Sequence, residues 1–218
     1  AGRTNLPLRS GRPETRDGRK VQFGNDPTVM PGGEETYQSY GLPWANLSNT
    51  PFREYKHWVH EGGIATPLIA HWPAGIAGPG RLLHEPAQLP DIMATCTDVA
   101  GADYPRERGG RQIPPCEGFS VMPILEGGTF GREALYWEHE GNCAVRRGKW
   151  KLVRKFPGEW ELYDMDADRS ETDNRIADHP DLAAELTALW EQWAARCGVE
   201  NWLEIKRLRK ERAAGGGS

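Results

Sequence analysis

The residue types best suited to chemistry lie close together between positions 56 and 63. Lys56 is followed by His57 and His60, and then by the pair Gly62-Gly63. Glycine lets a backbone approach a ligand closely because it carries no Cβ. A lysine beside such a turn can act as a point-charge donor to a sulfate or phosphate oxygen. The segment is compatible with an oxyanion-binding site, although these residues alone favour the structural alternative, a solvated surface lysine.

A second chemical pattern is an alternation of acidic residues. Asp164, Asp166 and Asp168 are spaced as in a calcium-binding EF-hand loop. That loop needs Gly at its sixth position and Glu at its twelfth, where this sequence has Arg169 and Arg175. We therefore predict an acidic turn here. The sequence also contains no G-x-S-x-G nucleophile elbow and no phosphate-binding P-loop.

The cysteine spacing argues against a zinc knuckle or a thioredoxin-type site, because no C-x-x-C pair occurs among the four cysteines. They are Cys96, Cys116, Cys143 and Cys197. Either buried free thiols or one disulfide would fit this spacing.

Composition excludes several classes of protein. The chain has 218 residues, with 27 Lys+Arg against 31 Asp+Glu and a net charge of −4, which argues against a generally basic nucleic-acid-binding protein. No apolar run approaches the roughly 18 residues of a membrane span. The 26 Gly and 17 Pro predict a large share of loop, and the nine Trp favour wide aromatic surfaces in a core or a pocket.

The elements that would position Lys56 are predicted from local patterns. Residues 54–60 predict a short helix that stops at Gly62-Gly63. Residues 64–72 form an apolar run without alternation, which predicts a strand buried on both faces. Residues 90–100 predict a helix. Its apolar face would consist of Ile92, Cys96 and Val99.

The composition changes near residue 133, where short aromatic and branched segments alternate with turn residues. These segments are 134–138, 142–148, 150–155 and 160–165. Their close spacing predicts an antiparallel meander. A helix is predicted over 181–196, ended by Gly198 and begun near Asp178 or His179. Its apolar face would consist of Leu182, Leu186, Leu189 and Trp193.

The run from Asn49 to Pro73 resembles the type I sulfatase family of the alkaline-phosphatase superfamily, in particular the arylsulfatases of bacteria. Its members carry a Lys, then Glu-Gly-Gly five residues later, then a strand ending near Trp-Pro. Here these are Lys56, Glu61-Gly62-Gly63 and Trp72-Pro73. Four later blocks match in the same order, at 89–105, 117–128, 135–153 and 162–174.

This resemblance implies an α/β fold, namely the C-terminal part of a sulfatase-type sandwich. The part would end in a small four-stranded antiparallel sheet with a packed helix. We expect residues 1–130 to belong to the large α/β domain, with a loop-rich stretch over 1–50. Residues 131–200 would form a small α+β subdomain, and 201–218 a basic flexible tail.

The resemblance also implies hydrolysis of sulfate esters. In the family, a Cys or Ser in Cys/Ser-x-Pro-x-Arg becomes formylglycine, whose hydrate attacks sulfur, and calcium held by Asp and Asn polarises the sulfate oxygens. Neither that motif nor Asp-Asn-Gly-Gly occurs in this sequence. We therefore expect the nucleophile and the metal ligands to lie upstream of these residues, and this chain alone to be inactive. A periplasmic or secreted location is expected by resemblance only.

This resemblance predicts two site residues, Lys56 and His139, and suggests a third, Asn142. Lys56 matches the sulfate-binding, catalytic lysine, and the structural alternative pairs it with a carboxylate such as Glu54. His139 is predicted to bind substrate, with Asn142 also facing the leaving group, and the alternative is a polar hairpin turn. No metal ligand is predicted within these residues.

Two other functions stay open. A phosphate or phosphonate monoester hydrolase of the same superfamily would use such a lysine equally well. A non-catalytic module could hold a sulfated glycan through its many Trp and a lysine pocket. The expected partner is thus a sulfate-ester small molecule or a sulfated glycan, with no nucleic acid and no membrane span.

Overall fold

The computed structural model describes residues 12–39, 41–78 and 80–215. By their contacts they divide into two compact units. The first unit combines the residues up to Ala65 with those from Tyr136 onward, and the second is Thr66–Leu135. No helix in the described ranges is both long and apolar enough to cross a membrane.

The N-terminal part of the first unit contains only short elements. Strand β1 (Gln22–Phe23) pairs in parallel with β2 (Thr36–Tyr37). Helix α1 (Gly41–Ser48) and the single-turn helix α2 (Glu61–Ile64) follow. The segment between these two helices consists of turns, and it carries the residues proposed for chemistry.

The second unit holds two helices and a two-stranded hairpin. Its elements are α3 (Leu89–Val99), β3 (Glu107–Arg108), β4 (Arg111–Gln112) and α4 (Met122–Leu125).

The predicted helix over 90–100 is confirmed, but its predicted apolar face is wrong. Ile92 and Val99 are about half exposed, and Cys96 is exposed. The buried residue of α3 is Asp91, because its carboxylate binds Arg132 at 2.7 Å and accepts the N–H groups of Gln88 and Phe119.

A four-stranded sheet forms the C-terminal part of the chain, in the order β5-β6-β7-β8. The strands are β5 (Leu135–His139), β6 (Asn142–Arg147), β7 (Trp150–Arg154) and β8 (Trp160–Asp164). Ala144 pairs with Val153, and Leu152 with Leu162, in antiparallel register. The predicted meander is therefore confirmed.

Both faces of this sheet are covered, so neighbouring residues such as Leu152 and Val153 are each fully buried. Side chains alternate between the faces of a strand, which sorts them into two layers. Helix α5 (Pro180–Cys197) covers one face, where Trp190 packs on Trp160 at 5.9 Å between ring centroids. On the other face, Val59 packs with Ala144 and Val153.

Helix α5 confirms the prediction over 181–196. It ends at Gly198, whose φ of 66° is left-handed and favours glycine. Leu186 is fully buried, and Trp190, which the predicted face omitted, is also buried. A further helix, α6 (Trp202–Gly215), follows.

The predicted helix over 54–60 is wrong, because this stretch forms turns. Glu54 has a φ of 65° and His57 a φ of 111°, and neither value belongs to a right-handed helix. The helical turn begins only at Glu61.

The predicted strand over 64–72 is wrong as well. Ile64 closes α2, and residues 66–72 pair with no strand in the described part of the chain. Leu68 is 60% exposed and Ile69 is 88% exposed. An apolar run becomes a strand only where a neighbouring strand accepts and donates its backbone hydrogen bonds, and periodicity alone does not show that neighbour.

All four cysteines lie in described residues, and all are free thiols. This outcome matches the free-thiol alternative, although Cys96 and Cys197 are exposed rather than buried.

Candidate functional site

Residues 53–64, called here the lysine segment, are folded tightly on themselves. The N–H of Gly62 donates to the carbonyl oxygen of Arg53 at 3.0 Å. A Cβ on Gly62 would lie 2.3 Å from the carbonyl oxygen of Glu54, and one on Gly63 would lie 2.0 Å from that of Trp58. Both glycines therefore allow another part of the chain's own backbone to approach closely. The sequence suggested that they allow a ligand to approach, whereas within this chain they allow tight backbone packing.

Three buried charges and one exposed arginine, Arg169, attach the lysine segment to the sheet. The set is called here the buried ion network and consists of Glu61, Lys151, Arg169 and Glu171. The Nζ atom of Lys151, which is fully buried, lies 2.9 Å from Glu61 Oε1 and 2.8 Å from Glu171 Oε1. Arg169 Nη2 lies 3.1 Å from the other oxygen of Glu61.

The electrostatics of Glu61 reflect this setting. Burial acts to raise the pKa of Glu61, but Lys151 and Arg169 outweigh it and hold that pKa below its usual range. The backbone N–H of Glu61 also donates to Glu171 Oε2 at 2.7 Å. Glu61 is thus a structural anchor at the residue that precedes the Gly-Gly pair.

A second polar group on the same sheet face centres on Glu161. Arg53 Nη1 lies 3.2 Å from Glu161 Oε2, and the Tyr163 hydroxyl donates to the same oxygen at 2.6 Å. His60 is fully buried, with Nε2 3.4 Å from that carboxylate. The hydrogen bond from His60, together with Tyr163 and Arg53, lowers the pKa of Glu161 to about 2.

Lys56 lies on the outer side of the lysine segment, and its side chain is exposed. The carboxylate of Glu54, its suggested alternative partner, is instead bound by Lys155 at 2.6 Å. Within the described ranges, none of the ion pairs involves Lys56. The ammonium group is therefore available to an anion from solution, as the proposed role requires.

His57, His139 and Glu140 meet beside Lys56 and are called here the histidine cluster. The rings of His57 and His139 are 5.0 Å apart between centroids, and His57 Nδ1 lies 3.5 Å from Glu140 Oε2. This contact brings the segment that carries Lys56 to the β5–β6 turn that carries His139. Sequence reasoning named His57 only as a neighbour of Lys56 and did not single out Glu140. In the sequence, the only indication of a role for them is that His57 follows Lys56 and Glu140 follows His139.

Asn142 serves the fold. Its side-chain nitrogen donates to the carbonyl oxygen of His139 at 2.8 Å, and its side-chain oxygen accepts the N–H of Phe156 at 3.0 Å. The buried amide thereby holds two turns of the sheet together. The suggestion that Asn142 faces a leaving group is not supported by these bonds.

The described residues do not fit calcium. Calcium takes six to eight oxygen ligands, whereas the histidine cluster offers two imidazoles and a single carboxylate. In the acidic turn, Asp164 Oδ1 accepts the N–H of Asp166, and Asp168 Oδ2 accepts those of Thr172 and Asp173. These oxygens brace the backbone, which confirms the predicted turn.

Comparison with known proteins identifies the family. The family described as N-sulphoglucosamine sulphohydrolase, C-terminal, matches residues 53–196, which is most of the described chain. The chain belongs to the sulfatase family. The match contains the lysine segment, all four strands of the sheet and α5 except its last residue, so it covers the whole candidate site.

Two curated relatives agree with this assignment. The chain is 30% identical to an uncharacterized sulfatase of Schizosaccharomyces pombe over 202 residues, covering 89% of this chain and 35% of that protein. It is 34% identical to the steryl-sulfatase of Mus musculus over 103 residues, covering 47% of this chain and 15% of that protein. The chain thus spans about a third or less of the length of these relatives.

A solved structure shows the same fold. The crystal structure of Ps i-CgsB superposes with a TM-score of 0.57 at 23% identity, covering 67% of this chain and 32% of that one. The predicted fold class, a sulfatase C-terminal part with a four-stranded antiparallel sheet and a packed helix, is confirmed.

Proposed function

We propose that this chain supplies the sulfate-binding lysine, Lys56, of an enzyme that hydrolyses sulfate esters. The observation that carries the proposal is the exposed, unpaired ammonium of Lys56 on a segment whose other charges are all engaged. Family membership supports the reaction class.

The chemistry follows from the charge that develops during cleavage of a sulfate ester. As the S–O bond to the leaving group breaks, negative charge grows on the sulfate oxygens and on the leaving oxygen. A lysine held where that charge appears stabilises the transition state without reorganising. Lys56 would contact a sulfate oxygen, and His139 would lie toward the leaving alcohol as a hydrogen-bond or proton donor.

The fold prepares Lys56 for this role. Trp58, two residues further on, carries Lys155 over its ring at 4.4 Å, and Lys155 in turn binds Glu54. Glu61 is fixed by the buried ion network five residues after Lys56. The backbone of Lys56 is therefore constrained from both sides, so that only its side chain has to be ordered when substrate binds.

The remaining catalytic groups belong to the same proposal. Formylglycine, as the nucleophile, and calcium would be held by sequence upstream of these 218 residues. These residues alone would be inactive, because they lack the group that does covalent catalysis. The substrate would be a small sulfate ester or a sulfated glycan, in a periplasmic or secreted setting.

The test is Lys56→Ala in the intact protein that contains this chain. We expect kcat/KM on an aryl sulfate to fall about 10²–10³-fold, the scale for removing one donor to a developing oxyanion. Lys210→Ala, at an exposed site on α6, is the matched control and should leave turnover unchanged. Unchanged turnover in the Lys56 variant would contradict the assignment.

The same preparation separates the alternatives. Faster turnover of a phosphate or phosphonate monoester than of the sulfate ester would favour the phosphoryl-transfer enzyme of the superfamily. Saturable binding of a sulfated glycan without any hydrolysis would favour the binding module.

A further inference from the structure

We propose that the histidine cluster of His57, His139 and Glu140 binds a divalent transition metal ion of the zinc type. One ligand atom from each residue lies within 4.8 Å of the other two, and the adjacent residues His139 and Glu140 are distant in sequence from His57. This proposal concerns a site separate from the calcium expected for the family, and it does not depend on sulfate binding by Lys56. It shares His139 with the proposed function, because a metal bound at one ring nitrogen leaves only the other nitrogen to donate to a leaving alcohol.

The donor set decides the class of metal. Two imidazole nitrogens with one carboxylate oxygen are a common protein ligand set for Zn²⁺ and other borderline transition metals. Calcium and magnesium prefer sets made wholly of oxygen. Three protein ligands leave a fourth position of a tetrahedral site open to water or to an added ligand.

The cluster is held in place by contacts around it. The ring of His57 packs edge-on against Trp58 at 4.5 Å between centroids. His139 is the last residue of β5, and its carbonyl oxygen is bound by the buried amide of Asn142. The two imidazoles therefore meet edge to face from two supported backbones, and a bound metal would draw their ligand atoms closer by side-chain rotation.

Backbone strain supports a functional reading of the same residues. In the described ranges, four residues other than glycine have positive φ, and His57 (111°) and Glu140 (53°) are two of them. Such conformations are unfavourable and persist where surrounding structure holds them, often at ligand sites. Here they belong to two of the residues whose ligand atoms come within 4.8 Å of one another.

The carboxylate of Glu140 also has one oxygen directed toward His57, where a metal ion could bind it. Its Oε2 atom lies toward His57, whereas Arg209 Nη1 lies 3.8 Å from its Oε1 atom. The Arg209 side chain is 65% exposed, and an ion pair of this kind contributes little to stability. A metal at Oε2 would therefore compete with a weak interaction only.

The test is a cobalt(II) and zinc titration of the 218-residue chain. We expect one Co²⁺ per chain, seen as visible absorption bands of a nitrogen- and oxygen-ligated site, displaced by Zn²⁺ and unaffected by equimolar Ca²⁺. His57→Ala and His139→Ala should each weaken binding at least tenfold. His84→Ala, at an exposed site outside the cluster, is the matched control and should bind as the parent does.

Exposed thiols are the main competing ligands, because Cys96 and Cys197 are exposed. Thiolate ligation gives intense near-ultraviolet charge-transfer bands with Co²⁺, so their appearance would overturn the assignment. Equal affinity in the parent and both histidine variants would overturn it as well. Glu140→Gln keeps the side-chain shape and guards against misfolding. It should weaken Co²⁺ binding with an unchanged circular dichroism melt, and full retention of affinity would count against the proposal.

Discussion

The buried ion network and the histidine cluster are both built on the lysine segment, yet they use charge in opposite ways. On the sheet side, Lys151 is fully buried between Glu61 and Glu171, and Arg169 completes the set. On the outer side, Lys56 is exposed without an ion pair in the described ranges. Its neighbour His57 reaches its carboxylate only at 3.5 Å.

The difference shows how one short segment can serve both stability and chemistry. A buried charge must be matched by partners, because leaving it unpaired in the interior is very unfavourable. That requirement holds Glu61 in one position. A charge at the surface has no such requirement, so Lys56 can stay unmatched until an anion arrives.

The largest expected effect comes from breaking the buried side. Lys151→Met should lower the free energy of unfolding by about 3–5 kcal/mol, because it leaves the carboxylates of Glu61 and Glu171 buried without their shared cation. Urea denaturation of the chain measures it. Lys149→Met is the matched control, since Lys149 pairs with Asp164 at the surface and should matter little. An equal loss of unfolding free energy in both variants would show that the buried lysine contributes no more to stability than the surface lysine.

A smaller effect is expected at the turn that both sides share. Gly62→Ala should cost about 1–3 kcal/mol, because the new Cβ would meet the backbone oxygen atoms of Glu54 and Arg53 at 2.3 and 2.4 Å. Gly33→Ala is the control, where the nearest atoms belong to the movable side chain of Glu35. Thermal melting compares the two. A Gly62 variant as stable as the control would mean that the segment is not rigidly packed.

The smallest effect concerns pH. The pKa of Glu161 is lowered to about 2 from an ordinary value of 4.5, so the folded state binds this proton more weakly than the unfolded state does. The stabilisation is therefore fully present above about pH 4.5 and is lost as the pH falls toward 2. For this partly exposed group we expect on the order of 1–2 kcal/mol.

Glu161→Gln isolates that contribution. The variant should lose less stability than the parent between pH 5 and pH 3, when urea midpoints are compared at each pH. Parallel curves for the two proteins would show that Glu161 does not titrate with this shifted pKa.

Local patterns predicted the C-terminal part of the fold well, because its information is local. The strands of the meander alternate with turn residues, and α5 carries its own apolar face and a terminal glycine at Gly198. The strand predicted over 64–72 failed, because strand formation depends on a neighbour that the apolar run does not specify. The charged residues Lys151 and Glu161 lie within strands whose sequence shows no sign of which face they occupy.

The candidate site was predicted in part. The pattern of Lys56 before Glu61-Gly62-Gly63 led to the sulfatase family, which is confirmed, while the chemical role of Lys56 stays a prediction. The partnership of Lys151 with Glu61 spans 90 residues, and no spacing rule could have found it. The contact of His57 with Glu140 could not be predicted from spacing either, because only the folded turns bring these residues together.

The buried thiol of Cys143 gives the sheet an internal reporter. Burial raises the pKa of this thiol, so at neutral pH it is protonated as well as shielded. Cys96 and Cys197 are exposed and should be alkylated at once. Cys116 is partly buried. A cysteine reagent can reach Cys143 only when β6 opens, so the labelling rate of Cys143 itself, followed by peptide mapping, reports the opening of the sheet. The chain thereby contains, without any added label, a kinetic probe for the opening of β6, a strand of the sheet that holds both sides of its site together.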